Sequence, residues 1–183
     1  MKTTLPYTIE SGHGETIIFK EIIKEADGDR VVLEGRCTPN AGPAMHVHYK
    51  QDEGLRVVKG KMGCQILGQE PVYFTEGEET VFLRNTPHRF WNAGEEELVV
   101  SGWVKPANSV IFFLTTLYAA FKKSANERPE AFDSAYLVVR YKNEYGLSGL
   151  PPFVKNVIIP ITYFIGKLLG KYKKFKDAPE PLK

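Results

Sequence analysis

The first part of the chain, residues 1–105, alternates short apolar runs with glycine and charged turn residues. The Asp27-Gly28-Asp29 turn is typical of these separators. The runs, each of strand length, lie at 17–19, 22–23, 30–34, 55–58, 62–66, 72–74, 80–83 and 98–100. Many short strands at close spacing predict an all-β sandwich or barrel, and the periodicity alone does not decide between these two architectures.

The second part, residues 106–183, has the periodicity of helices. A first helix should begin with Asn108 or Ser109 as its N-cap, and its apolar stripe is Val110, Leu114, Leu117 and Phe121. A second should open at 128–130 and stop near Gly146, because glycine often ends helices. Its stripe is Phe132, Ala135, Tyr136 and Val139.

A third helical stretch follows Pro151, and Pro160 should kink or break it. Its stripe is Val154, Val157, Ile158, Ile161, Ile165, Leu168 and Leu169. We therefore predict a mainly β domain over 1–105 and an extension of about three helices over 106–183. We expect the extension to pack on the β domain or on a dimer partner, because such stripes are too apolar to remain exposed. The tail, 177–181, is expected to be disordered.

Composition narrows the class of protein. The chain has 183 residues, 43% of them hydrophobic and 25% charged, which is ordinary for a globular protein with one sizeable core. A net charge of +2 gives no reason to expect a nucleic-acid partner. Cys37 and Cys64 are too few for a disulfide scaffold, so we expect free buried thiols and a cytoplasmic location. No apolar run has the length of a signal peptide or a spanning helix.

Charge is distributed unevenly between the two parts. Residues 1–105 hold 12 basic and 16 acidic side chains, whereas residues 106–183 hold 12 basic and 6 acidic ones. Lys167, Lys171 and Lys174 fall on one helical face. This profile suits either an interfacial helix on an anionic membrane or a solvated face of a helix packed on the barrel, and we favour the second reading.

Three histidines and one glutamate carry the candidate chemistry. His46 and His48 are two apart on a predicted strand, so both imidazoles can point to the same side. Glu53 follows after a short turn, and His88 lies much later in the chain. Three imidazoles and a carboxylate suit a divalent transition metal, with open positions for a ligand. Fe, Mn, Ni, Zn and Cu all accept such ligands.

The spacing of these residues resembles the two conserved motifs of the cupin superfamily. His46, His48, Glu53 and Gly60 match the first motif, and Gly77, His88 and Asn92 match the second. The chain departs from the motifs at turn positions: Leu83 replaces a proline, and Asn40 and Asn85 replace glycines. Asparagine tolerates positive φ best among the other residues, so the turns can be kept. The resemblance implies a double-stranded β-helix (jelly-roll) barrel, a metal bound by the four side chains, and a homodimer.

Strand parity suggests which residues line a pocket beside the metal. Met62, Cys64 and Ile66 share one face of a predicted strand, and Phe90 shares a face with His88. A pocket of this composition suits a small apolar or aromatic ligand. The resemblance implies a metalloenzyme, dioxygenase-like or isomerase-like. The alternatives are a non-catalytic, metal-dependent binding module and a membrane-surface protein anchored through residues 153–176. The sequence shows no obvious acid or base besides the ligands.

Overall fold

Two antiparallel sheets form a barrel in the computed structural model, which describes residues 4–124 and 128–183. The strands are β1 (Tyr7–Glu10), β2 (Glu15–Ile23), β3 (Arg30–Cys37), β4 (His46–His48), β5 (Asp52–Lys59), β6 (Met62–Ile66), β7 (Val72–Phe74), β8 (Glu79–Phe82), β9 (His88–Asn92), β10 (Leu98–Lys105) and β11 (Tyr145–Leu147). One sheet has the order β1-β2-β3-β10-β5-β8, and the other has the order β11-β4-β9-β6-β7. The predicted mainly β jelly roll with C-terminal helices is confirmed.

The core lies between the sheets because the strands alternate between apolar and polar positions. In β3, Val31, Leu33 and Cys37 are buried while Arg36 is exposed. One core cluster contains Phe19, Val31 and Val104, and a second contains Leu55, Val57, Met62 and Leu98. Successive side chains of a strand point to opposite faces, so this alternation places one face of each strand inside the barrel.

Two asparagines hold the turns beside the candidate site. Asn40 has φ 65° and Asn85 has φ 66°, which confirms that asparagine can replace glycine at these positions. The backbone N–H of Asn85 donates to the carbonyl oxygen of His48 at 2.7 Å. The left-handed turn therefore ties the loop that precedes β9 to the end of β4.

The helices α1 (Val110–Lys122) and α2 (Ala131–Arg140) follow the barrel. Val110 and Tyr118 of α1 join the core cluster that contains Phe19. Glu130 is the N-cap of α2, and its side chain accepts from the backbone N–H of Asp133. Helix α1 packs on the barrel, and α2 packs on α1.

Strand β11 was not predicted, and Gly146 does not end a helix. Helix α2 ends at Arg140, and Gly146 lies in the middle of β11, opposite Val47. A Cβ on Gly146 would lie 2.4 Å from Tyr49 Oη and 2.9 Å from Val47 Cγ1. The glycine is therefore needed because β11 approaches β4 closely, not because a helix stops there.

Pro160 changes the type of helix without ending it. A π-helical turn, Val154–Ile158, runs directly into α3 (Ile159–Leu168), and the N–H of Ile159 bonds to the carbonyl of Val154, five residues back. Proline lacks an N–H and its ring collides with the carbonyl four residues earlier, so the wider turn accommodates it. A 3₁₀ helix, Lys171–Phe175, follows Gly170.

The apolar stripe of this third stretch does not pack on the barrel. Tyr163 and Gly166 are turned inward, toward α2 and Tyr172, whereas most of the stripe is exposed in the single chain. The stripe was expected to pack on the barrel or on a dimer partner; the barrel does not cover it in the single chain, and packing across a dimer stays a prediction. Among the described residues, no helix combines the length and the apolar composition that crossing a bilayer requires.

The C-terminal tail is held in place, so the expected disorder of 177–181 is wrong. Tyr141 Oη donates to the carbonyl of Pro179 at 2.8 Å, and Arg140 pairs with Glu180 at 2.8 Å. The backbone N–H of Leu182 donates to Glu144 Oε1 at 2.9 Å. These partners come from the α2 end of the chain, which local sequence pattern does not reveal.

Candidate metal centre

The candidate ligands come from both sheets of the barrel. Strand β4 supplies His46 and His48, and His88 begins β9 directly opposite His46. Glu53 lies near the start of β5 in the facing sheet. Its Oε2 atom is 3.2 Å from His88 Nε2, 3.6 Å from His48 Nε2 and 3.9 Å from His46 Nε2. The structure thus brings together the four residues that the sequence singled out.

The donor set fits a divalent transition metal. One ligand atom from each of the four residues lies within 4.8 Å of all the others. A nitrogen or oxygen ligand sits about 2.0–2.2 Å from such an ion, so two ligands of one ion are at most about 4.4 Å apart. The three distances from Glu53 to the imidazoles are within this limit. Small side-chain movements would bring the distances between the ligand atoms of the histidines within it as well. Imidazole and carboxylate are the ligand types these metals prefer.

Two imidazoles are oriented by backbone carbonyls. His46 Nδ1 lies 2.9 Å from the carbonyl of Ala44, and His88 Nδ1 lies 2.8 Å from the carbonyl of Thr86. A carbonyl only accepts, so each Nδ1 carries a proton, and each Nε2 points to the centre, where it could offer its lone pair to a metal. The ring of Phe82 stacks on His88 with centroids 4.0 Å apart. His48 Nδ1 is buried and has no partner among the described residues.

The electrostatics of the cluster favour an ionised carboxylate. Burial alone would raise the pKa of Glu53, but the surrounding imidazoles of His46, His88 and His48 hold that pKa far below its usual range. Burial lowers the pKa of His48 to about 3, so this imidazole is neutral. Burial also opposes the charged form of His46, yet the nearby Glu53 carboxylate leaves the His46 pKa raised. Metal binding requires an ionised carboxylate and neutral imidazoles, so an ion bound here would displace any proton held between His46 and Glu53.

The four residues predicted to line a pocket face the barrel interior. Met62 and Cys64 are buried in the second core cluster, and Ile66 and Phe90 are partly buried against it. Ile66 pairs with His88 across β6 and β9, and Cys64 pairs with Phe90. These four side chains form an apolar wall on β9, which carries His88, and on the neighbouring β6. Contact with a ligand stays a prediction.

Sequence reasoning missed a buried carboxylate next to the centre. Glu144 accepts from Gln51 Nε2 at 2.7 Å, from Ser109 Oγ at 2.8 Å and from the N–H of Leu182. The hydroxyl of Tyr145 lies 3.0 Å from Ser109 Oγ, and its ring meets the ring of His48 edge-on at 5.4 Å. Local sequence gives little sign that Glu144 is buried here, because its position depends on the long-range pairing of β11 with β4.

A second missed group is Glu15, which could have been found by parity. Glu15 and Phe19 share one face of β2, and Phe19 is fully buried. Tyr118 Oη donates to Glu15 Oε1 at 3.2 Å. Burial raises the pKa of Glu15, although the Tyr118 bond and the charges of His46 and His13 act in the opposite direction. Glu15 also lines a groove of about 280 Å³ with Thr38 and Arg36.

Residues 34–104, which carry all four candidate ligands, match the Cupin domain family. The probable oxidoreductase virH of Hypocrea virens is 31% identical over 175 residues, which cover 84% of this chain and 78% of virH. The oxidoreductase iacF of Pestalotiopsis fici is 33% identical over 102 residues, and this match spans only 50% of each protein.

Similar solved structures include an oxalate oxidase in complex with glycolate, with 18% identity and a TM-score of 0.46, covering 59% of this chain and 60% of that one. An uncharacterized double-stranded β-helix protein from Klebsiella pneumoniae has 18% identity and a TM-score of 0.42, covering 59% and 84%. On the sequence match to virH and to the Cupin domain, together with the two-sheet barrel, the chain belongs to the cupin superfamily.

Proposed function

We propose that the protein is a metal-dependent enzyme of the oxidoreductase type that acts on a small apolar or aromatic substrate. The observation that carries this proposal is the convergence of three imidazoles and one carboxylate inside the barrel. The names of the two curated relatives, both oxidoreductases, support the reaction type. Fe, Mn, Ni, Zn or Cu bound there would supply a Lewis-acid or redox-active centre.

The protein itself would orient the substrate and exclude water from around it. The wall of Met62, Cys64, Ile66 and Phe90 gives apolar contacts to an aromatic or aliphatic group and excludes water. His46 and His88 are held by backbone carbonyls, so the centre needs little reorganisation when a substrate arrives.

Glu15 is our candidate for the proton carrier. Its carboxyl group is within electrostatic range of His46, and its raised pKa brings protonation closer to neutral pH. Tyr118 holds the side chain from the α1 side, and the groove beside Glu15 offers a path to solvent. A proton carrier at this position would favour an enzyme over a binding module.

Oxygen consumption by the Fe(II)- or Mn(II)-loaded protein tests the proposal, with flavonols, catechols and β-diketones as the panel. We expect turnover of at least one compound, and none in a His46→Ala variant. Glu15→Gln should lower kcat on the order of 10²-fold while metal content stays unchanged. Glu70→Gln, an exposed glutamate between β6 and β7, is the matched control and should retain full activity.

Two results would count against this function. A compound that raises the melting temperature of the metal-loaded protein but is never consumed would indicate a binding module. If no compound is consumed and none shifts the melting temperature, the proposed pocket is wrong.

A further inference from the structure

The third helical stretch is turned so that its most apolar face points away from the protein. Gly166 is buried, and a Cβ there would lie 2.3 Å from Tyr172 Oη and 2.9 Å from the ring of Phe132. Tyr163 stacks on Tyr172 on the same inner side. The inner face is therefore made of a small residue and aromatic rings, and it is already filled by the neighbouring segments.

The opposite face, called here the outer stripe, remains exposed. Leu168 is 71% exposed, Phe153 65%, Leu169 61% and Phe164 60%. The stripe consists of Phe153, Val157, Ile158, Ile161, Phe164, Ile165, Leu168 and Leu169. Single exposed apolar residues are normal, but eight large ones along one helix form a contiguous patch that usually marks an interaction surface.

The charged side chains of the segment that carries the outer stripe have one sign. Six lysines and no aspartate or glutamate occur in residues 145–176. Lys155 and Lys167 lie between stripe residues in the sequence, and Lys171, Lys173 and Lys176 follow the last stripe residue. All five side chains are exposed. Lysine side chains of this kind extend their charge above an apolar face, so the stripe and the ammonium groups can act on one surface together.

This charge pattern helps to decide whether the outer stripe binds a second copy of the chain or a membrane. In a two-fold symmetric dimer the same patch meets itself, which would bring together two sets of lysines with no acidic side chain of the segment between them. An anionic bilayer offers both complements, acyl chains for the apolar face and negative headgroups for the lysines. We propose that the outer stripe is a membrane-surface site that lies in the headgroup layer of an anionic bilayer.

The fold suits this geometry. The helix packs along α2 through its inner face, so it would meet the bilayer sideways. Lys174 pairs with Asp133 of α2, and Lys171 lies over the ring of Phe132. These contacts hold the helix on the body of the protein in the orientation that exposes the stripe, so no rearrangement is needed before binding.

Vesicle flotation of the full-length, metal-loaded protein tests the proposal. The probes are vesicles of phosphatidylcholine alone and of phosphatidylcholine mixed with phosphatidylserine. The wild type should float with the mixed vesicles and largely fail to float with the neutral ones. A Phe164→Glu, Leu168→Glu variant should lose binding. Lys167→Glu with Lys173→Glu, two exposed lysines other than those that hold the helix on α2, should weaken it by about tenfold or more, and added salt should weaken it further.

The matched control is Leu67→Glu with Val72→Glu, because both residues are exposed apolar positions on the barrel. This control should float like the wild type. The surface lysine variants keep the test valid if the stripe variant folds poorly. The proposal is overturned if the wild type does not float with anionic vesicles, or if both double variants of the helix float as well as the control. It is also overturned if sedimentation equilibrium shows that the stripe variant converts a dimer into a monomer.

Discussion

At the residue scale, the candidate metal centre depends on orientation as well as on residue type. His46 and His88 each use one ring nitrogen for a backbone carbonyl and present the other to the centre. His13, the fourth histidine of the chain, lies instead in a turn between two glycines and stacks edge-on against Phe121. His13 therefore serves as an internal control for substitutions of the candidate ligands.

His88→Ala should remove most of the bound metal. It deletes a fully buried ligand and leaves Glu53 without its shortest contact in the cluster. We expect metal affinity to fall by at least about tenfold, since even changes behind the ligands have that effect. Elemental analysis of protein purified without added metal is the measurement. His13→Ala should retain the metal of the wild type, and full occupancy in His88→Ala would show that the site is elsewhere.

The two cysteines provide a pH-dependent prediction. Both thiols are free and buried, as expected from the sequence, and burial raises the pKa of Cys37 and of Cys64 to about 12. An unfolded thiol has a pKa of about 8.5, so between this value and 12 the unfolded chain binds fewer protons. The free energy of unfolding should therefore be unaffected by the thiols below about pH 8 and fall as pH rises above it.

Urea unfolding at several pH values measures this effect. A Cys37→Ala, Cys64→Ala variant should lose less stability than the wild type between neutral and strongly alkaline pH. Equal losses in the two proteins would show that other groups, such as tyrosines, are responsible.

The candidate ligands could be singled out from the sequence because their residue types and motif spacings are distinctive. Strand parity gives a common direction only to His46 and His48, and the resemblance to the cupin motifs connects them to the other two ligands. The same parity predicts that Glu15 shares a face with Phe19, but a single glutamate at a strand start carries no chemical signature. Only the fold shows that Tyr118, more than a hundred residues later, is its partner.

At the element scale, Glu144 joins three parts of the chain that are distant in sequence. Gln51 precedes β5, Ser109 precedes α1, and Leu182 belongs to the tail. The carboxylate itself is fully buried. The carboxylate oxygens of Glu144 therefore accept from donors that would otherwise be buried without a partner. These hydrogen bonds hold β11 against the barrel.

Glu144→Gln should destabilise the protein by about 2–4 kcal/mol, because an amide group would face donors that need an acceptor. The shape of the side chain is retained, so the loss reports on hydrogen bonding and not on a cavity. The measurement is the free energy of unfolding in urea. Glu180→Gln changes an exposed glutamate paired with Arg140 and should alter stability by less than about 0.5 kcal/mol. Equal effects of the two changes would contradict the structural role of Glu144.

Elements near the C-terminus were harder to predict than those of the barrel. Helical periodicity gave the positions of α1 and α2, but it does not say which face of a helix points inward. The third stretch has two usable faces, and the small residue Gly166 fits the crowded side better than the large apolar stripe does. Strand β11 is too short to have a pattern of its own, and it exists because β4 offers it a free edge.

At the scale of the whole molecule, the helices complete the barrel. Helix α1 covers Ile9 and Phe19 with Val110 and Tyr118, and β11 extends the sheet that holds three of the four ligands. Residues 106–183 therefore contribute side chains to the core of the β domain and a strand to the edge of one sheet. They also carry the exposed outer stripe. This arrangement explains why a strand found late in the chain lies next to the metal centre.

A chain that ends at Pro106 should aggregate or unfold at a much lower temperature than the full chain. It would expose the apolar surface beneath α1 and leave β4 as an open edge, and such edges pair with other chains. A chain that ends at Leu150 keeps α1, α2 and β11, so it should stay soluble and retain metal, although losing the Leu182 contact should reduce its stability. Light scattering, melting temperature and metal content compare the three lengths. If the chain ending at Pro106 is soluble, monomeric and as stable as the full chain, the helices do not complete the barrel. Their role would then be sought at the membrane surface alone.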